Sequence, residues 1–136
     1  MIVLDASIVL ASFFEDERTS AVVAVMNKVG SSSAFVPSLW PLEVANGLRI
    51  AIRRERISPS FRDAALVQLA KLSIKVDPET NTHAWHATLQ LADRRDLTPY
   101  DAAYLELAQR RRLPLATLDR DLANAAESEG VAVQGL

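Results

Sequence analysis

The segment Thr98-Pro99-Tyr100-Asp101-Ala102-Ala103-Tyr104-Leu105-Glu106-Leu107-Ala108, continued by Arg110-Arg111-Arg112 and then by Leu115-Ala116-Thr117-Leu118-Asp119, sets the pattern for the whole chain. Thr98 before Pro99 marks a helix start, because a hydroxyl can accept from a first-turn amide and Pro at the first helical position sacrifices no hydrogen bond. Helical spacing then predicts a helix over Pro99 to Arg112. Asp101, Tyr104, Leu105 and Ala108 share one stripe of it, and Glu106, Gln109 and Arg110 mark the wet side. Leu115 to Thr117 is a short apolar run that reads as a buried strand. Asp119 then opens a helix that reaches Glu129 and is stopped by Gly130.

Working outward, the same alternation recurs. Ile2 to Leu4, Ala34 to Val36, Ile74 to Val76 and Val131 to Val133 are further buried strands. Helical segments lie between them: Ala6 to Phe14, Thr19 to Val29 ended by Gly30, Ser38 to Arg56, Pro59 to Leu72 behind Ser58, and Glu79 to Arg95. Strand alternating with helix predicts an α/β fold: a three-layer α/β/α arrangement with a central parallel sheet of about five short strands. The chain is 136 residues and 49% hydrophobic, enough for one core, so residues 1–136 are expected to form a single domain. No apolar run approaches the roughly 20 residues that cross a bilayer, and the opening residues lack the basic lead-in of a secretory signal. With no cysteine, thiolate metal sites and disulfides are excluded, and a cytoplasmic location is expected.

The net charge of −2 runs against a simple nucleic-acid binder, but the average conceals the distribution. Twelve of the fifteen bases are Arg, bunched at Arg49, Arg53, Arg54 and Arg56, at Arg94 and Arg95, and at Arg110 to Arg112. Two readings stand side by side: a phosphate-binding rim, or cations at helix C-termini.

Four acids carry the candidate chemistry. Asp5 and Asp119 each follow a strand directly, at the carboxyl edge where open α/β sheets bind ligands, and each could equally cap the helix that follows. Asp101 fits a capping box, yet lies on the inner stripe of its helix start. Glu43 has no local capping role; Asn46 and the small Gly47 one turn on leave room for a metal or phosphate beside it. Four carboxylates that meet cannot all stay charged without a cation, and an oxygen-only set selects a hard ion, Mg²⁺ or Mn²⁺. Such a site suits phosphodiester hydrolysis. His83 and His86, three apart, lack a third ligand at matching spacing.

In order along the chain, four blocks resemble the PIN-domain nucleases, and within them the VapC-type toxins of toxin–antitoxin pairs. They are Ile2-Val3-Leu4-Asp5-Ala6-Ser7, then Val36 to Asn46 with Glu43, then Thr98 to Ala108 with Asp101, and Leu115 to Leu122 with Asp119. The resemblance implies a PIN-like fold and Mg²⁺- or Mn²⁺-dependent RNA cleavage through Asp5, Glu43, Asp101 and Asp119 as catalytic and metal residues. Ser7, Asn46, Thr117 and Asp121 would support them. It also implies an RNA substrate, a cognate antitoxin protein, a homodimer and no membrane association. Phe13, Phe14, Trp40 and Ile50 would either line an antitoxin groove or pack the core. One departure is the turn Arg54-Glu55-Arg56-Ile57-Ser58, where relatives often have Gly. A non-catalytic PIN-like binding or scaffold module is the alternative from another class. A receiver-type phospho-acceptor domain fits poorly, since Asp5 stands without a neighbouring acid and no Lys follows Lys75.

Overall fold

A computed structural model describes all residues from Met1 to Leu136. In chain order the elements are β1 (Ile2–Leu4), α1 (Ala6–Phe13), α2 (Ser20–Ser31), β2 (Ala34–Val36), α3 (Trp40–Arg53), α4 (Pro59–Leu69) and β3 (Ile74–Val76). They continue with α5 (Thr80–His83), a π-helical stretch (Ala84–Thr88), α6 (Leu89–Arg95), α7 (Pro99–Arg111), β4 (Leu115–Ala116), α8 (Arg120–Ser128) and β5 (Val133–Gln134). All strand pairs are parallel, in the order β3-β2-β1-β4-β5. The fold is therefore the expected three-layer α/β/α arrangement around five short strands.

The strand order reverses at β1. Two crossovers carry the chain outward from β1 to β3; the next returns it to β4 on the other side of β1, so right-handed connections put the later helices on the opposite face. Contacts agree: α1 packs on α2 and α3, whereas α7 packs on α5, α6 and α8. Val3, Leu4, Ala34, Leu115 and Ala116 are wholly shielded between the layers, beside Ile8, Val9, Leu48, Tyr104, Leu105 and Leu122. Each large apolar side chain so buried contributes about 1.5–3 kcal/mol.

Ser58 and Thr98 cap their helices as the sequence predicts, and Thr19, expected inside its helix, caps it as well. Thr19, Ser58 and Thr98 accept from Val22, Phe61 and Asp101 N–H groups at 3.1–3.2 Å. Several expectations need correction. The helix expected over Glu79 to Arg95 is interrupted by the π-helical stretch, and α2 passes through Gly30 before ending. The last strand is shifted to Val133–Gln134. Glu55 adopts φ 58°, the left-handed conformation that glycine takes most easily, at the turn where the resemblance implied a Gly. Glu106, expected on the wet side of α7, is only 4% exposed: Arg110, one turn on, covers it with a two-pronged contact at 2.9 and 3.0 Å.

Candidate active site

Parallel pairing of Val3 with Leu115 and Leu4 with Ala116 brings the next residues, Asp5 and Thr117, side by side where the strand order reverses. The Asp5 amide donates to the Ala116 carbonyl at 3.0 Å. The Asp5 side chain makes no cap bond to α1. Its Oδ2 instead accepts from Thr117 Oγ1 at 2.6 Å and Ser7 Oγ at 2.8 Å. Each hydroxyl is itself held in place: Thr117 Oγ1 accepts from Asp119 N–H, and Ser7 Oγ from Leu118 N–H, both at 3.0 Å. Both hydroxyls fall on one oxygen, so Asp5 Oδ1 has no side-chain donor, and the Ser7 backbone also bears on the carboxylate. Burial pushes the Asp5 carboxyl up; the bonds from Thr117 and Ser7 oppose that, and the charge of Asp119 reinforces it.

Asp119 does cap its helix, its Oδ1 accepting from Leu122 N–H at 3.0 Å. The two aspartates that looked alike in sequence thus separate, one capping and one held by hydroxyls. Asp101, on the first turn of α7, is pushed up to about 6 by burial and by the charges of Asp119 and Asp5, against the Thr98 contact, with Asp121 adding a smaller push. Glu43 projects from the first turn of α3 in the opposite helical layer. Its Oε1 accepts from Tyr104 Oη at 2.5 Å, and Tyr104 Oη in turn accepts from Ala6 N–H at 3.4 Å. Burial raises Glu43, the Tyr104 bond opposes, and the charges of Asp5 and Asp101 add to the rise. The phenol, wholly shielded, is raised by burial, by the charge of Asp5 and by its bond to Glu43, so it remains a hydrogen donor.

Tyr104 is the residue that sequence reasoning undervalued. Its position three residues beyond Asp101 on the inner stripe was visible, but only the tertiary fold supplies Glu43 as its acceptor. The space expected beside Gly47 is also taken: a Cβ there would stand 2.4 Å from the Leu10 side chain, so the glycine lets α3 close on α1 and does not make room for a ligand. Asn46 is exposed and has no hydrogen-bond partner among the neighbouring acids. Asp121 faces a cavity of about 330 Å³ with Arg95, Asp96, Asn124, Ala125 and Ser128, to one side of the other carboxylates.

Every oxygen in this set is a hard donor, and Asp5 Oδ1 suits a hard cation in kind. As they stand, however, no three His, Cys, Asp or Glu side chains are disposed to hold a metal ion.

The arginine bunches are mostly committed elsewhere. Arg94 and Arg95 grip Glu129, Arg110 and Arg111 grip Asp77, and Arg56 pairs with Asp16 and Glu17. Of the residues considered for a groove, Phe14 and Trp40 are buried, Phe13 is half-buried and Ile50 is exposed. No helix is long and apolar enough to cross a membrane.

The chain is similar to VapC ribonuclease Mb0985 of Mycobacterium bovis and to ribonuclease VapC9 of Mycobacterium tuberculosis, each 28% identical over 131 residues that span 95% of this chain and 94% of the relative. Among solved structures it resembles PAE2754 of Pyrobaculum aerophilum, with TM-score 0.70, 25% identity, and coverage of 97% of this chain and 87% of that one. FitAcB of Neisseria gonorrhoeae shares the fold, with TM-score 0.65 at 18% identity and coverage of 98% and 96%. The PIN domain family matches residues 2–128, and the chain belongs to that family.

Proposed function

We propose that this protein is a ribonuclease dependent on Mg²⁺ or Mn²⁺ and acts as the toxin of a toxin–antitoxin pair, cutting RNA and so inhibiting translation. The observation that carries the reading is a set of carboxylates from four elements that feel one another's charge at the reversal of strand order, with Asp5 Oδ1 free of any side-chain donor. Asp5, Glu43, Asp101 and Asp119 would hold the cation. When bound, a divalent ion activates water and stabilises charge on the departing oxygen of a phosphodiester. The chain's own residues prepare that site. Thr117 and Ser7 fix the Asp5 carboxylate, Tyr104 orients Glu43, and Asn46 and Asp121 flank the opening. The proposal further includes one domain over residues 1–136, a cytoplasmic location, a homodimer and a cognate antitoxin. The names of the two mycobacterial relatives support the ribonuclease part.

The test is cleavage of RNA by purified protein with Mg²⁺, Mn²⁺ or a chelator. Cutting is expected only with metal, and Asp5→Asn and Asp101→Asn are expected to abolish it in folded protein. Full activity in both variants rejects the site. One observation favours a second reading, a non-catalytic PIN-like binding module: no three side chains stand ready to hold an ion. Metal-dependent cutting that Asp101→Asn removes would exclude it.

A further inference from the structure

Ion pairing divides the twelve arginines into two populations. Arg56, Arg62, Arg94, Arg95, Arg110 and Arg111 each meet a carboxylate within 4.0 Å. Arg18, Arg49, Arg53, Arg54, Arg112 and Arg120 meet none; three of these, Arg49, Arg53 and Arg54, are exposed, make no side-chain hydrogen bond and gather at the C-terminal end of α3. Helix geometry arranges them. Val44, Leu48 and Ala51 are the buried side of α3. Asn46, Arg49 and Arg53 lie opposite that side at spacings of three and four, while Ile50 and Arg54 follow Glu43 along the flank at seven and eleven. Ile50, 38% exposed, lines a shallow concavity of about 360 Å³ with Arg53 and Arg54. From Glu43 to Arg53 is ten residues, about 15 Å along the axis.

Helix-dipole compensation accounts for Arg53, in the last turn of α3, but not for Arg49, which stands before that turn. The nearest acids in sequence, Glu43 and Glu55, form no ion pair with these arginines, and Asp16 and Glu17 are held by Arg56. An unpaired cationic row attracts a polyanion.

We propose that this face of α3 is a backbone-binding track for RNA, with Arg49, Arg53 and Arg54 on successive phosphates and Ile50 against a ribose or base. The track would guide the strand toward Glu43 and its neighbours. It rests on the ribonuclease reading for its ligand, but binding and cutting are separate measurements. Arginine suits the role because its planar fork contacts phosphate bidentately.

The experiment measures binding of a fluorescent single-stranded RNA 20-mer in EDTA at rising KCl, where cutting cannot contribute. Replacing Arg49, Arg53 and Arg54 together by Gln is expected to weaken binding by roughly 10- to 100-fold at low salt. It should also reduce the slope of log affinity against log salt by about 2, the loss of three single-strand phosphate contacts. The corresponding triple Lys variant should keep most of both, and near-UV circular dichroism checks that each variant is folded. Arg94→Gln with Arg95→Gln removes two paired bases and should leave the slope unchanged. Wild-type affinity and slope in the triple Gln variant overturn the proposal, as does an equal loss on removing Arg94 and Arg95. Binding of a poly-glutamate peptide without binding of RNA overturns it too, and reassigns the face to an acidic protein segment. A wild-type chain that binds by this track yet cuts nothing with Mg²⁺ leaves the track standing and removes the ribonuclease reading. Cutting that persists while the Gln variant binds normally removes the track alone.

Discussion

Asp5 and Asp77 are both buried aspartates placed one residue after a parallel strand, and their surroundings differ in kind. Asp77 is saturated. Its Oδ2 accepts from Arg110 Nη2 at 2.6 Å and Thr80 Oγ1 at 3.1 Å, and its Oδ1 accepts from Arg110 Nη1 and Arg111 Nη2 at 3.1 Å. Burial alone would raise this carboxyl, but the guanidinium contacts outweigh it and hold the group at about 2. Arg111 also stacks on the Phe35 ring at 3.9 Å, and Thr80 Oγ1 accepts from Ser38 N–H at 3.1 Å, so the cluster joins the end of α7 to the loop that launches α3. Asp5 has no cationic partner, only hydroxyl and backbone donors and other carboxylates for company, and burial raises it. A carboxylate whose charge is answered within the protein holds the fold together; one whose charge is unanswered is kept for something from outside.

This contrast can be broken by mutation. Asp77→Ala leaves Arg111 without a carboxylate and Arg110 with Glu106 and Glu79 only, and is expected to cost about 2–3 kcal/mol in denaturant unfolding. Asp5→Asn should instead leave stability unchanged or raise it by up to ~1 kcal/mol, because it removes a buried charge among like charges. Equal destabilisation by the two changes would erase the distinction.

Tyr104→Phe tests the link between the layers. Loss of the bond to Glu43 is expected to cost about 1 kcal/mol and to raise the Glu43 carboxyl further, since that bond now opposes the rise. The rise can be followed by NMR titration of the side chain. A Glu43 titration unmoved by the change would assign Tyr104 to packing alone.

The two regions should also respond to pH with opposite sign. Asp101 titrates near 6 in the folded chain and near 3.8 as a free group, so the folded state holds a proton that the unfolded state has lost. Its contribution is most favourable below 3.8 and declines as pH rises through about 6. Asp77 is the reverse: its contribution is complete above 3.8 and is lost as pH falls through about 2. Metal-free stability should therefore fall at both ends, and Asp101→Asn should flatten only the upper limb. The smallest effect expected is from Mg²⁺, which should raise the melting temperature of the wild type progressively with concentration and that of Asp101→Asn less. A melting temperature indifferent to Mg²⁺ at millimolar concentration would leave the acids without their cation.

Much of this was legible beforehand. The strands at Ile2–Leu4, Ala34–Val36 and Ile74–Val76 follow from short apolar runs between helical periods, and the caps at Ser58 and Thr98 from local chemistry. Legibility failed where a residue's role depended on a distant partner. Asp77 carries no motif, and its importance comes from arginines more than thirty positions away. Glu106 looked solvated because periodicity describes one helix and cannot see what Arg110 is anchored to. Gly47 suggested an empty space that Leu10 fills.

Residue order by itself determined the alternation of strand and helix and the acids that would stand at strand ends or helix starts, since hydrophobic period and capping act within a few residues. Tertiary structure alone decided which acids remain unanswered, which arginines remain free, and which tyrosine crosses from one layer to the other. Charge and hydrogen bonding act through space, and only the folded chain fixes those distances.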